Sequence, residues 1–404
     1  MDDLQSMARL HDGAFYASEP FDVYRRLRNE APVWWYGQGP FWALTKWEDI
    51  RFVSSHPVEF SSASGNKIDE KRNPGRITKR LNDGAPENII GSDPPRHNQL
   101  RRLVSKAFTP RMVKSLEPKI RTLTGEILDT ISPNEVVDFS ALISSIPTYV
   151  ISDLLGCDRE FAPLFKRWAE NAVKSVDIDT ESIEWQEVER LNAELWQFMA
   201  GEIGKRRANP GDDLVSALMD SEIEGEQLSQ PNLVMMLCTL LVAGSDTTKS
   251  LMAGGALEFA RHPDQLDLLV ADPGLASNAV EELLRWVSPL HTFCRTATVD
   301  TQIGGQEIAA GDYIAMVYPA ANRDEDIWER AEELDITRSV DPMHLAFGWG
   351  EHACLGSHLA RLETRVLFEE LAARYPRWEL AGPYRKWPST IINIIDELPI
   401  RLGA

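Results

Sequence analysis

The residue with the strongest chemical potential in this sequence is a cysteine framed by glycines, Cys354 in "HLAFGWGEHACLGSHLARLE" (344–363). The pattern predicts a helix that starts just after the cysteine. Its free backbone N–H groups and the positive end of its dipole would then favour a thiolate. Gly348, Gly350 and Gly356 permit tight turns and the close approach of a large flat group. A buried structural cysteine would need none of these glycines.

The other cysteines give this thiol no partner. Cys157, Cys238 and Cys294 lie far from Cys354 and from one another, and no CxxC pair occurs. A zinc knuckle or a dithiol redox site is therefore not expected, and one thiolate alone is wrong for tetrahedral zinc. It suits a metal whose other ligands come from a cofactor. Haem iron fits this description, since an axial thiolate pushes electron density that favours O–O cleavage.

A second group of reactive side chains lies within the longest predicted helix, about 229–262. A helix of roughly 32 residues is about 48 Å long, so its middle should be buried. There "AGSDTT" (243–248) places an acid beside an alcohol, where burial of a charge is costly without compensation. Gly244 weakens a helix by about 1 kcal/mol relative to alanine. We therefore expect a local kink that opens a groove.

The composition limits the classes of partner. The formal net charge is -20 over 404 residues, which argues against nucleic acid and favours a soluble surface. The longest apolar run, "LVMMLCTLLVAG", has about a dozen residues, and a membrane-spanning helix needs about 20. The polar start "MDDLQSMARLHDG" predicts no signal peptide and no amino-terminal membrane anchor. With few cysteines, a cytoplasmic location is expected.

The remaining patterns predict a mainly α chain with small β-sheets. Strand candidates are "PVWWYG", "FWALTK", "RTATVD", "TQIGGQEI" and "DYIAMVYP". Residues 62–92 are polar and rich in glycine, asparagine and proline, which predicts a long lid-like loop. A helix should follow with Asp93 as its N-cap, another should cover about 275–287, and the helix after Cys354 should end before Pro376.

The cysteine segment resembles a known family signature. "FGWGEHACLG" (347–356) is similar to the haem-binding loop F-x-x-G-x-x-x-C-x-G of the cytochrome P-450 family, and "AGSDTT" fits its pattern A/G-G-x-D/E-T-T/S. The order "DPPRH", "AGSDTT", "EELLR", "ANRD" and then the cysteine loop extends the resemblance over nearly the whole chain. It implies one domain over 1–404 with the cytochrome P-450 fold, and haem b between the long central helix and the cysteine-loop helix.

The resemblance also implies roles for single residues. Cys354 would be the axial iron ligand, and Asp246 with Thr247 would be the acid–alcohol pair that passes protons during oxygen activation. Groups expected to neutralise the haem propionates are His97, Arg101, Arg295 and His352. The two on the helix after "DPP" are four residues apart and so share a face, and arginine suits carboxylates through its forked donors.

The "EELLR" segment is expected to be structural. Glu282 and Arg285 are three apart on one helix face, and the family's Glu-x-x-Arg pair is buried without taking part in chemistry. Alignment puts Glu333 where the family's third partner, an arginine, is expected, and Leu334 where a phenylalanine is expected. Glu333 could instead accept from Arg285 and make a carboxylate–guanidinium–carboxylate cluster.

Substrate residues follow from the resemblance as well. Pockets of this kind are mostly apolar, and the expected lining residues are Leu240, Leu241, Ala243, Leu290, His291, Thr292 and Phe293. Among these, His291 and Thr292 could supply a hydrogen bond. Cations of the 62–92 loop, including Arg76, Lys79 and Arg80, could catch a carboxylate, although a solvated lid is the simpler interpretation. A terpenoid, a steroid or a fatty-acid-like compound is favoured.

Electrons must come from outside, because the chain contains no flavin or iron–sulfur segment. The stretch from Arg101 to Lys119 is basic within an acidic protein, so an acidic donor could be steered there, although a solvated helix face explains it equally well. The resemblance favours a ferredoxin with an NAD(P)H-dependent reductase, and hence a monooxygenase that uses O2. A peroxide-driven peroxygenase and a non-catalytic, gas-binding haem protein remain alternatives. The acid–alcohol pair counts against the first.

Overall fold

Helices dominate the computed structural model, which describes residues 2–72, 84–178 and 182–403. The α-helices are Asp2–Met7, Gly13–Ala17, Phe21–Glu30, Trp47–Ser55, Ile68–Arg72, Arg96–Ser105, Pro110–Ser115, Glu117–Leu128, Phe139–Ile143, Ser145–Leu154, Ala162–Lys174, Glu184–Ala208, Leu214–Met219, Gln230–Arg261, Pro263–Ala271, Ala276–Val287, Tyr318–Ala321 and Ser357–Arg374. The predicted class, mainly α with small sheets, is confirmed. None of the helices in the described ranges combines the length and the apolar character needed to cross a membrane.

The strands form small sheets. The largest has the strand order Val33–Tyr36, Phe41–Leu44, Tyr313–Val317, Thr292–Ala297 and Phe60–Ser61. A second sheet has the order Arg377–Leu380, Pro399–Gly403 and Val136–Asp138. The two-stranded sheets pair Arg385–Lys386 with Ile395–Glu397, Glu222–Ile223 with Glu226–Gln227, and Thr301–Ile303 with Gln306–Ile308. The strand candidates read from the sequence therefore all contain strand residues.

One long helix, Gln230–Arg261, organises the helical part, and we call it the central helix. The Ser229 hydroxyl accepts from the Asn232 N–H at its start, as expected of an N-cap. Most of its residues are buried, because it packs against Ser145–Leu154, Ala162–Lys174, Glu184–Ala208, Ala276–Val287 and Ser357–Arg374. The predicted long buried helix is thus confirmed.

The expected kink at Gly244 does not interrupt this helix, which is continuous from end to end. The hydroxyls of Ser245 and Thr247 donate to carbonyls one turn back, at 2.9 and 2.8 Å. Such bonds satisfy the alcohols within the helix and often bend it slightly. The helix therefore accommodates the small and polar residues without losing a turn.

Two local predictions were wrong. Helix Arg96–Ser105 has Pro95, not Asp93, at its N-cap position. The Asp93 carboxylate instead accepts from the Ser62 and Ala63 N–H groups, at 2.8 and 3.2 Å, and ties the strand end to the helix start. The 62–92 segment is also not all loop, since it contains Ile68–Arg72 and a short 3-10 turn. Its cations Arg76, Lys79 and Arg80 lie outside the described residues.

Candidate functional site

Backbone geometry positions Cys354. Gly348 and Gly350 both have φ in the left-handed region, at 66° and 68°, where other residues are strained. A Cβ on Gly350 would lie 2.3 Å from the Ser54 carbonyl oxygen, so only glycine lets the loop pass under helix Trp47–Ser55. The Cys354 N–H donates to the Phe347 carbonyl at 2.8 Å and closes the loop. The glycines therefore allow the cysteine loop to pack closely against helix Trp47–Ser55.

The sulfur of Cys354 is accessible, although protein surrounds it closely. Burial raises the pKa of the Cys354 thiol, and this outweighs the lowering by the Gly356 N–H and by the charges of Arg101 and Arg361. The expected N–H donor is present, but the protein alone does not favour the thiolate. The anionic form needs an additional cation next to the sulfur, which a bound metal ion would supply.

Four basic side chains gather close to this loop. The rings of His97 and His352 lie with their centroids 3.9 Å apart, and the Nε2 of His352 is 3.3 Å from the Ser62 hydroxyl. Burial, reinforced by Arg295, His97 and Arg101, lowers the pKa of His352 to about 2. Burial also lowers the pKa of His97, of Arg101 and of Arg295. The predicted cofactor residues thus form one cluster.

Two protein carboxylates act on this cluster only at a distance: Asp93 on Arg295 and Glu351 on His97. Within residues 2–72, 84–178 and 182–403, neither Arg101 nor Arg295 forms an ion pair, and Arg295 is only 6% exposed. Its guanidinium donates to the carbonyl of its neighbour, Cys294, at 2.7 Å. Buried cations normally have an anionic partner because desolvation is costly. The donor set therefore suits a bound group that carries carboxylates of its own, and the two propionates of a haem fit it.

On the central helix, Asp246 and Thr247 point in directions about 100° apart. Asp246 is 5% exposed, and its Oδ2 has no hydrogen-bond partner in the described part of the chain. Burial raises the pKa of Asp246 to about 7, against the lowering effect of Lys249. Thr247 is half-buried, one turn after the exposed Ala243. The acid is thus inside the fold while the alcohol reaches an accessible surface.

The structure separates the predicted substrate residues into two groups. Ala243 is exposed, and Leu240, Leu290 and Phe293 are half-buried, so they have accessible surface. The others are buried: Leu241 belongs to the core, the His291 ring packs 4.9 Å from Tyr16, and the Thr292 hydroxyl donates to the Thr390 carbonyl at 2.7 Å. Burial lowers the pKa of His291 to about 3. The Thr292 hydroxyl is therefore committed to the fold, whereas the Nδ1 of His291 has no hydrogen-bond partner among the described residues.

Sequence reasoning missed an apolar cluster next to Leu290, one of the predicted substrate residues. Leu290 pairs with Ile392 in an isolated antiparallel bridge, which brings a segment near the carboxyl end beside it. The buried members of the cluster are Val173, Val176, Ile391, Ile392 and Ile394. Val242 of the central helix packs against the same cluster. The isoleucine-rich run "TIINIID" (390–396) was the available signal.

The Glu282–Arg285 pair is buried, as expected, with donor distances of 2.7 and 2.8 Å. The proposed cluster with the Glu333 carboxylate is wrong. Arg285 instead binds the Glu333 backbone carbonyl at 3.0 Å, while the exposed Glu333 side chain pairs with Arg330. The third partner is Arg338, whose Nε donates to Glu282 at 3.1 Å. The expected arginine is present, five residues later than the alignment placed it.

Comparison with known proteins decides the family. A family model described as cytochrome P450 matches residues 18–271 and 274–381. The chain belongs to the cytochrome P450 family. Among curated relatives, linalool 8-monooxygenase of Pseudomonas putida is 34% identical over 95% of both chains. A steroid C26-monooxygenase of Mycobacterium tuberculosis is also 34% identical, over 97% of this P450 and 96% of the relative.

Solved structures agree with this assignment. A P450 from Novosphingobium aromaticivorans has a TM-score of 0.86 and 31% identity, with 100% and 98% of the two chains covered. A Mycobacterium marinum P450 solved with pseudoionone has a TM-score of 0.85 and 33% identity, with 95% of each chain covered. The predicted cytochrome P-450 fold is confirmed, and the protein is a monooxygenase, an oxidoreductase whose family implies a haem cofactor.

Proposed function

We propose that this P450 holds haem b with Cys354 as the axial ligand and hydroxylates a lipophilic small molecule. The observation that carries the proposal is the accessible Cys354 sulfur close to Arg101 and Arg295, which form no ion pair within the described residues. When bound, the haem would supply the iron centre for the two-electron reduction of O2 and its cleavage. Arg101, Arg295, His97 and His352 would hold the propionates and so orient the ring.

Asp246 and Thr247 supply protons from the central helix. The Asp246 carboxyl has a pKa of about 7, so near neutral pH it can both give and take a proton. The Thr247 hydroxyl donates to the Ala243 carbonyl at 2.8 Å and keeps an oxygen lone pair free to accept. Together they carry a proton from the buried acid to the accessible surface of the helix.

The substrate is apolar, in the class of terpenoids, steroids and fatty-acid-like compounds. Hydrocarbon surface is offered by Leu240, Ala243, Leu290 and Phe293. The apolar cluster that contains Val173 and Ile392 packs against Leu290 and extends this apolar region. The Thr292 hydroxyl is already bonded to the Thr390 carbonyl and His291 is buried, so we expect burial of hydrocarbon to dominate affinity. The names of the relatives, which include a linalool and a steroid monooxygenase, support this class.

Electrons come from a ferredoxin and its NAD(P)H-dependent reductase in the cytoplasm. Arg102, Lys106, Arg111 and Lys114 are exposed, whereas Arg101 turns inward. Beside them lies an open cleft of about 300 Å³ between helices Pro110–Ser115 and Ser357–Arg374. Lys119 is already paired with Asp153 at 2.7 Å. The exposed cations give an acidic donor a matching surface in a protein of charge -20.

The first prediction concerns the thiolate bond. The purified, reduced protein with carbon monoxide should show the strongly red-shifted absorption that thiolate-bound haem gives. Cys354→Ala should abolish this band, and Cys238→Ala should keep it, because Cys238 is a half-buried cysteine of the helical core. An imidazole-type spectrum in the unmodified protein would refute axial ligation by sulfur.

The second prediction concerns the substrate. Linalool and a set of steroids, titrated into the ferric protein, should shift the iron spin state, whereas charged analogues of similar size should not. Turnover of a responding compound should require ferredoxin, reductase and NAD(P)H. Equal or faster turnover with hydrogen peroxide alone would instead identify a peroxygenase, and the absence of any response across the set would favour a gas-binding protein.

The third prediction concerns Thr247. In Thr247→Ala, NAD(P)H should still be consumed, but peroxide should be released and product formation should fall by at least about tenfold. General acid–base assistance is typically worth about 10²–10⁴ in rate. Ser245→Ala is the matched control, since this buried hydroxyl makes the same bond to a carbonyl one turn back. Unchanged coupling in Thr247→Ala would place the relay elsewhere.

The fourth prediction concerns haem retention. Arg101→Met should release haem to apomyoglobin about 10- to 100-fold faster, because a hydrogen bond to a charged group contributes about 1.5–3 kcal/mol. Arg102→Met, which removes the exposed neighbouring charge, should leave the rate unchanged. Equal rates in both variants would mean that Arg101 does not bind a propionate.

A further inference from the structure

A buried lysine lies one turn beyond the relay acid. Lys249 follows Asp246 by three residues, so both side chains share a face of the central helix. It is 6% exposed, and its Nζ is 3.4 Å from a carboxylate oxygen of Glu170. The acid–alcohol pair does not require this lysine. A buried ammonium costs free energy unless it is paired. The contact with Glu170 supplies that pairing and places both charges near the relay acid.

The partner helix carries a stripe of charge. On helix Ala162–Lys174, the residues Lys166, Glu170 and Lys174 are spaced four apart and so lie along one face. The Lys174 ammonium is 3.3 Å from an Asp396 oxygen and 4.4 Å from the Trp387 ring centre, which fixes the end of the stripe. The charged groups that act on Asp246 are therefore Lys249 from its own helix and Lys166, Glu170 and Lys174 from this one.

We propose that Lys249 and Glu170 are positioning residues that set when the Asp246 carboxyl carries its proton. Lys249 places a positive charge about one helical turn from the buried carboxyl and favours its ionised form. Glu170 pairs with Lys249 from the neighbouring helix and offsets part of that charge. Glu170 is about 29% exposed, so it also connects this buried group to solvent. The proposal rests on the proposed function only for the role of Asp246 as the relay acid.

The charges predict opposite effects for the two substitutions. Lys249 lowers and Glu170 raises the pKa of Asp246, while burial remains the largest influence. Removal of the ammonium in Lys249→Met should therefore keep the acid protonated to higher pH. Removal of the carboxylate in Glu170→Gln should let it ionise at lower pH. A purely structural role would not give shifts of opposite sign.

The experiment is an infrared pH titration of the ferric, haem-loaded protein without substrate or reductant. The band of the protonated Asp246 carboxyl is assigned by its loss in Asp246→Asn. This step is needed because burial also raises the pKa of Glu363 to about 8. The titration midpoint should rise in Lys249→Met and fall in Glu170→Gln, each by at least about half a pH unit. Lys249→Arg should stay close to the unmodified protein.

The control is Lys205→Met, which removes a lysine paired with Glu202 at 2.6 Å on helix Glu184–Ala208 and should leave the midpoint unchanged. The proposal is overturned if both test variants keep the midpoint, if both shift it in the same direction, or if Asp246→Asn removes no titrating band. The half-exposed Glu170→Gln variant tests the idea even if Lys249→Met does not fold. Because no turnover is measured, failure here is distinct from failure to hydroxylate.

Discussion

Desolvation of charge is the constraint on which the rest of this structure depends. The fold encloses a thiol, two guanidinium groups, two imidazoles and a carboxyl, and burial moves each of their pKa values towards the neutral form. Few of these groups are paired within the described residues. A chain that spent so much free energy on unpaired polar groups would be poorly stable on its own. The bound cofactor would supply the missing opposite charges.

The two parts of the candidate site, the Cys354 loop and the cluster of basic side chains, are built in different ways. At the sulfur, glycines with left-handed backbone angles let the loop pass beneath helix Trp47–Ser55, so backbone geometry fixes Cys354. In the basic cluster, side chains from helix Arg96–Ser105, strand Thr292–Ala297 and the cysteine loop converge. The buried Glu282–Arg285–Arg338 cluster holds backbone carbonyls of the 322–333 segment and so supports the region between them.

Those helices and strands that have a local sequence pattern could be predicted from the sequence. The central helix, the helix after Cys354 and the strand "DYIAMVYP" follow from periodicity and from proline stops. Spacing joins His97 to Arg101, but the convergence of these two with Arg295 and His352 came from a family resemblance, because no spacing rule joins residues so far apart. The prediction of Asp93 as an N-cap was wrong, because its carboxylate accepts from the N–H groups of Ser62 and Ala63 rather than from those of the helix that follows it.

The remaining errors arise from tertiary contacts. Glu333 was assigned a side-chain role, but the fold uses its carbonyl and turns its carboxylate to solvent. Thr292 looked available, but its strand pairs with Tyr313–Val317 and its hydroxyl donates to the Thr390 carbonyl. The pairing of Leu290 with Ile392 could not be predicted, because about 100 residues separate the two and loop closure over such a length leaves no local signal.

That pairing means that three stretches far apart in the chain share one apolar wall: the end of helix Ala162–Lys174, the residues after Ser288, and the isoleucines near the carboxyl end. None of them contains Cys354 or the relay residues. The cluster reaches the central helix through Val242, so changes to its other apolar side chains alter the surface beside the oxygen-activating residues without replacing those residues. Variation among these apolar side chains can change which compounds fit, while Cys354, Asp246 and Thr247 stay the same.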